Sequence, residues 1–66
     1  MNLTVNGSPV DLPEDATVAD LVALRSGGHD RVAVARNGDV VPRSTWAATR
    51  LSSGDAVEVL APTAGG

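Results

Sequence analysis

The sequence contains no cysteine, tyrosine, phenylalanine or lysine, and only one tryptophan and one histidine. Each absence removes a class of chemistry. Without cysteine there are no disulfides and no thiolate metal sites. With His29 as the only imidazole, and no thiol, amine or phenol side chain to partner it, the usual nucleophile and base pairs of catalysis are nearly excluded. The missing lysine fits arginine-favouring codon usage, and it also leaves few amines for an activated acyl group to attack. No apolar run approaches the ~20 residues of a membrane span. The opening segment MNLTVNGSPVDL has neither a basic start nor the long apolar stretch of a secretory signal. These features lead us to expect a soluble, cytoplasmic chain with no membrane partner. The formal charge is −3, and the five arginines are spread from Arg25 to Arg50 without clustering. A phosphate backbone is a poor match for that distribution, so no nucleic-acid partner is expected.

What is present is a globular composition, 42% apolar and 20% charged over 66 residues. That length allows one domain with a radius of gyration of about 11 Å and leaves little room for a deep cleft. In NLTVN, Leu3 and Val5 alternate with polar residues, as in a strand with one buried face. Asn6-Gly7 suits a type I′ turn, and SPVDL should return antiparallel with Pro9 where no ladder donor is missed. Val18, Leu21 and Val22, with Leu24 beside them, form an apolar helical stripe. Thr17 and Asp20 mark the start of that helix, and Gly27 and Gly28 supply its stop. RVAVARN reads as a second-half strand with Val32 and Val34 on one face. Its small Ala33 and Ala35 on the other face suit close packing on both sides. Asn37-Gly38 signals a second hairpin into a short strand, Val40-Val41, ended by Pro42. RSTWAATRL then reads as a short helical turn with Ser44 as its cap, SSGD as a turn and AVEVL as the final strand.

This order predicts an α+β fold, a ubiquitin-like β-grasp in which a mixed sheet of four to five strands packs on one α-helix. The final strand is expected at the centre of the sheet, parallel to the first. Residues 1–60 would form the domain and 61–66 a flexible C-terminal tail. Six residues can extend about 20 Å at ~3.3 to 3.6 Å each.

Few groups in the body stand out as chemistry. His29 beside Asp30 reads as a surface turn histidine, since one imidazole without a second ligand binds little metal. Asp11, Glu14 and Asp15 read as solvated loop charges rather than a metal cluster, and Ser26-Gly27-Gly28 lacks the spacing of a phosphate loop. No catalytic residue and no metal site are assigned. Trp46 is a core or edge anchor, with a partner contact as its second reading, and Arg43 is a solvated charge or a partner contact. The terminal Ala64-Gly65-Gly66 is different. Glycine has no Cβ to collide with the walls of a narrow channel, so a slender arm can carry a carboxylate into a partner's active site. A carboxylate is an unreactive acyl group, so transfer needs activation, most economically as a mixed anhydride with AMP. The catalyst and the ATP must then come from another enzyme, with no cofactor bound here.

The order of elements, the segment NGDVVPRSTW from Asn37 to Trp46 and the terminal AGG resemble the sulfur carrier proteins of thiamine biosynthesis, the ThiS family. The resemblance covers essentially the whole chain. It implies that Gly66 is adenylated by an E1-like adenylyltransferase, converted to a thiocarboxylate with sulfur from a donor system, and used by thiazole synthase. The chain would then be a protein substrate, not an enzyme, and Ala64, Gly65 and Gly66 would enter the partner's channel. Sulfur delivery to molybdopterin or cysteine synthesis, or a ubiquitin-like conjugation or interaction module, are the alternatives. The tail departs from the family pattern in having proline and threonine before AGG, where apolar residues are common.

Overall fold

The computed structural model describes residues 1–26 and 31–60. In chain order these form strands β1 (Asn2–Val5) and β2 (Ser8–Asp11), helix α1 (Val18–Ser26), strands β3 (Ala33–Arg36) and β4 (Asp39–Val40), a 3-10 helix (Arg43–Ala48) and strand β5 (Ala56–Leu60). The strands make one five-stranded sheet in the order β2-β1-β5-β3-β4. β5 lies parallel to β1 and antiparallel to β3, and both hairpins are antiparallel. This is the α+β β-grasp expected from the sequence, with the last strand at the centre.

Both hairpins turn on Asn-Gly, with φ of 52° and 82° at Asn6 and Gly7 and 51° and 88° at Asn37 and Gly38. These positive values are what a type I′ turn requires. Pro9 faces Thr4 on the edge strand, and the Thr4 N–H turns the other way to donate to the Asp55 carbonyl at 2.9 Å. The proline therefore sits where a donor is not needed. At the start of α1 the Thr17 N–H donates to Asp20 Oδ2 at 3.0 Å, while the Asp20 N–H donates to Thr17 Oγ1 at 3.3 Å. This reciprocal capping satisfies two groups that the helix cannot pair internally. The Val18 N–H reaches the Thr49 carbonyl at 2.9 Å, which ties the helix start to the segment after the 3-10 helix.

The core lies between the sheet and α1. Val18, Leu21 and Val22 point inward from the helix and meet Leu3, Val5, Val34 and Val57 from the sheet. Full burial of a side chain such as Leu21 contributes roughly 1.5 to 3 kcal/mol. Leu24 departs from the expected stripe and is 70% exposed. At about 100° per residue it falls ~60° beyond Leu21, away from Val18 and Val22. The face of β3 carrying Ala33 and Ala35 is likewise not packed: Ala33 is exposed and Ala35 half-buried, because no second layer among the described residues covers that side of the sheet. The short strand is Asp39–Val40 rather than Val40-Val41, since pairing begins directly after the two-residue turn with Arg36 opposite Asp39. Ser44 does not cap the 3-10 helix; Pro42 holds the N-cap position in an extended conformation with no side-chain cap bond. Asp11 and Glu14 both reach the Met1 ammonium, at 3.1 and 3.2 Å. The expected helix stop at Gly27 and Gly28, the turn at His29 and Asp30, and the tail 61–66 lie outside the described residues.

Candidate functional site

Ala64, Gly65 and Gly66 follow β5 in the chain and lie outside the described residues, so what the structure gives is the strand from which they depart. β5 is held at both ends by asparagine side chains from the two Asn-Gly turns.

At its start, Asn37 Oδ1 accepts from the Ala56 N–H at 2.9 Å, and Asn37 Nδ2 donates to Asp55 Oδ1 at 3.0 Å. The other oxygen of Asp55 accepts from Arg36 Nε at 2.7 Å and from the Ser52 N–H at 2.8 Å. Asp55 is only 6% exposed and is the one buried charged side chain among the described residues. Burial pushes its carboxyl up. The hydrogen bonds from Arg36, Asn37 and the Ser52 backbone outweigh that and hold it below its ordinary value. With its oxygens engaged in this way, Asp55 is a structural tie, not an acid or base.

At the end of β5, Asn6 Oδ1 accepts from the Val59 N–H at 2.9 Å and Asn6 Nδ2 donates to the Val59 carbonyl at 3.1 Å, across 53 residues of sequence. Beside this point the sheet face away from α1 is open. Val40 and Glu58 both pair with Ala35, and Leu60 pairs with Ala33. Val40 is 79% and Leu60 60% exposed, so two of the three large exposed apolar residues among the described residues lie on this face, towards the end of β5.

Of the two body residues singled out in the sequence, Arg43 begins the 3-10 helix and is exposed, whereas Trp46 is in the core. The Trp46 indole N–H donates to the Val41 carbonyl at 3.0 Å, which satisfies its polar group inside the apolar layer. The tryptophan therefore fixes the 3-10 helix rather than offering a surface. Among the described residues no group of three or more His, Asp or Glu could hold a metal ion, and no helix is long and apolar enough to cross a membrane. Sequence reasoning did not mark Val40 and Leu60 as a surface pair, nor Asn6 and Asn37 as anchors of β5. Only the strand register, which places them in space, could have done so.

The ThiS family model matches residues 3–66. The crystal structure of a thiamine biosynthesis protein (ThiS) from Geobacter metallireducens is 42% identical and superposes with a TM-score of 0.83 over 100% of both chains. The NMR solution structure of a thiamine biosynthesis protein from the same organism gives a TM-score of 0.80 at 42% identity, over 100% of this chain and 88% of that one. A thiazole synthase from Paramagnetospirillum magneticum is 33% identical over 66 residues, and the chain spans 20% of the length of that curated relative. The chain belongs to the ThiS family, the small sulfur carrier proteins of thiamine biosynthesis.

Proposed function

We propose that this chain carries sulfur as a thiocarboxylate on Gly66, with residues 1–60 as the body that a partner holds and 61–66 as the arm that enters the partner's active site. The observation that carries the proposal is the placement of β5. The central strand of the sheet ends at Leu60, and Ala64-Gly65-Gly66 follows it by a few residues. The proposal requires Gly66 to bear a free carboxylate in the working protein.

The chemistry divides into two steps. A carboxylate oxygen of Gly66 attacks the α-phosphorus of ATP held by an E1-like adenylyltransferase. The bond to pyrophosphate breaks, leaving an acyl adenylate. A sulfide-level nucleophile from a sulfur donor system then attacks the acyl carbon, and AMP departs as the C–S bond forms. The body contributes neither acid nor base to these steps. It contributes attachment, and the open apolar face around Val40 and Leu60 lies where an enzyme receiving the arm would meet it. Arg43, exposed on the 3-10 helix, is a second contact for the activating enzyme or the synthase. The resemblance to a thiazole synthase favours thiazole formation as the sulfur's destination over molybdopterin or cysteine synthesis. No cysteine is present to hold sulfur in any other way.

Pyrophosphate release with the cognate activating enzyme tests this. Wild-type chain should support it. Gly65→Val, which adds bulk to the arm, should lower it by at least about 100-fold with no change in melting temperature, because an exposed end contributes little to the core. Equal rates for the two proteins would overturn the proposal.

A further inference from the structure

We propose that Asn6 is a positioning residue for acyl activation, acting through Val59 to fix the point and direction at which the chain leaves the sheet. This rests on the thiocarboxylate role of Gly66 proposed above.

The geometry that points to it is the mismatch in length between β1 and β5. The two strands run parallel, with Thr4 beside Ala56 and Val5 beside Val57, and the Asn6 N–H closes the last backbone rung on the Val57 carbonyl at 2.9 Å. β1 then turns away at Asn6-Gly7, while β5 continues to Leu60. The N–H and C=O of Val59 face the side that β1 has vacated. The Asn6 carboxamide takes up both, accepting at 2.9 Å and donating at 3.1 Å. A primary carboxamide offers the same donor and acceptor as a peptide unit, so the side chain extends the ladder by one rung beyond the end of its own strand.

The effect falls at the end of β5 that matters for the arm. Without the clamp, Val59 and Leu60 would be held from one side only, through Val34 and Ala33 of β3. The last two residues of the strand could then swing away from the vacated side, and the six residues after them would start from a wider cone. Enzymes are sensitive to such displacements, because the entropy of aligning the reacting groups must otherwise be supplied at the moment of reaction. The position asks two things of one residue. Its φ of 52° calls for Asn, Asp or Gly, and among these only Asn both donates and accepts through its side chain.

Asn6→Gly separates the two demands, since glycine accepts the turn conformation but has no side chain to reach Val59. The matched variant is Asn37→Gly, which keeps the other turn and removes the equivalent clamp at the start of β5. Both are to be compared with wild type in steady-state pyrophosphate release with the cognate activating enzyme, at a temperature where all three are folded. For Asn6→Gly we expect kcat to fall roughly tenfold with KM changed by less than about twofold, as for a chain that docks normally but presents its end poorly. Asn37→Gly should leave kcat at the wild-type value although its melting temperature falls. Amide exchange should accelerate at Val59 in Asn6→Gly and stay slow at Val57. Wild-type kcat in Asn6→Gly, or equal losses of kcat in both variants, would overturn the positioning role while leaving the thiocarboxylate role intact. A wild-type chain that releases no pyrophosphate would overturn both.

Discussion

The two Asn-Gly turns are alike in sequence and in backbone, with φ values that agree within a few degrees, yet they hold opposite ends of the same strand to different effect. Asn37 is exposed but joins a network built on the buried Asp55. Its partner Asp55 is also held by Arg36 and by the turn before β5, so the start of the strand is tied to β3, to the Asn37-Gly38 turn and to the 52–55 turn together. The Asn6 side chain, also exposed, meets the backbone of Val59, at the end that leads to Gly66. The same dipeptide thus serves stability at one end and presentation at the other. The difference lies in position, since Asn37 meets β5 where it begins and Asn6 meets it one residue before its end at Leu60.

The largest effect on this comparison should come from removing the anchor at the buried end. Asp55→Ala leaves the Ser52 N–H and the Asn37 amide without their acceptor and Arg36 without its counter-charge. A loss of about 2 to 4 kcal/mol in denaturant unfolding is expected, a large share of the stability of so small a domain. Asp55→Asn keeps the shape and should lose less. The pH dependence follows from the same contacts. Because the folded-state pKa of Asp55 is lowered, its contribution is fully present above the ordinary carboxylate value of ~3.9 and is lost as pH falls through the lower folded value. Asp55→Asn should remove this component of acid destabilisation. Pyrophosphate release by either folded variant should stay near wild type at a permissive temperature. A selective loss of turnover there would erase the contrast between the two ends.

The smallest effect is expected away from both ends. Arg43→Glu should raise KM for the activating enzyme or the synthase by about two- to fivefold through charge reversal on an exposed residue, with kcat unchanged at a temperature where the variant is folded. Affinity unchanged for both enzymes would remove Arg43 from the partner contact.

Much of the fold was legible in the sequence because local chemistry and global order agreed. The Asn-Gly pairs demand positive φ, Thr17 and Asp20 cap a helix with the right apolar period, and the order of elements leaves the last strand a place beside the first. What failed were inferences about surroundings. Leu24 is apolar and helical, but its angle around the helix puts it in solvent. Ala33 and Ala35 are small enough for a packed face or an open one, and only the number of layers decides between them. Trp46, by contrast, sits where its first reading as a core or edge anchor put it, with its indole N–H on the Val41 carbonyl. Asp55 reads as one residue of a polar turn, and its burial depends on Arg36 arriving from another strand. The Asn6 clamp was invisible for a similar reason. Asparagine at a type I′ turn is already explained by its backbone, and nothing local to residue 6 announces a partner 53 positions away.

Sulfur on the chain end is most directly seen by intact mass spectrometry of protein isolated from its native host, followed by fragmentation. Replacing one carboxylate oxygen of Gly66 by sulfur adds about 16 Da, nearly the same as oxidation of Met1 to the sulfoxide, so fragments must place the gain. The expected result is a gain of that size confined to the fragment containing Gly66 and raised further by the mass of the alkyl group on incubation with an alkylating agent, which caps the thiocarboxylate sulfur as a thioester. Protein that carries the gain only on Met1, or that is joined through Gly66 to another polypeptide, would contradict the sulfur-carrier role.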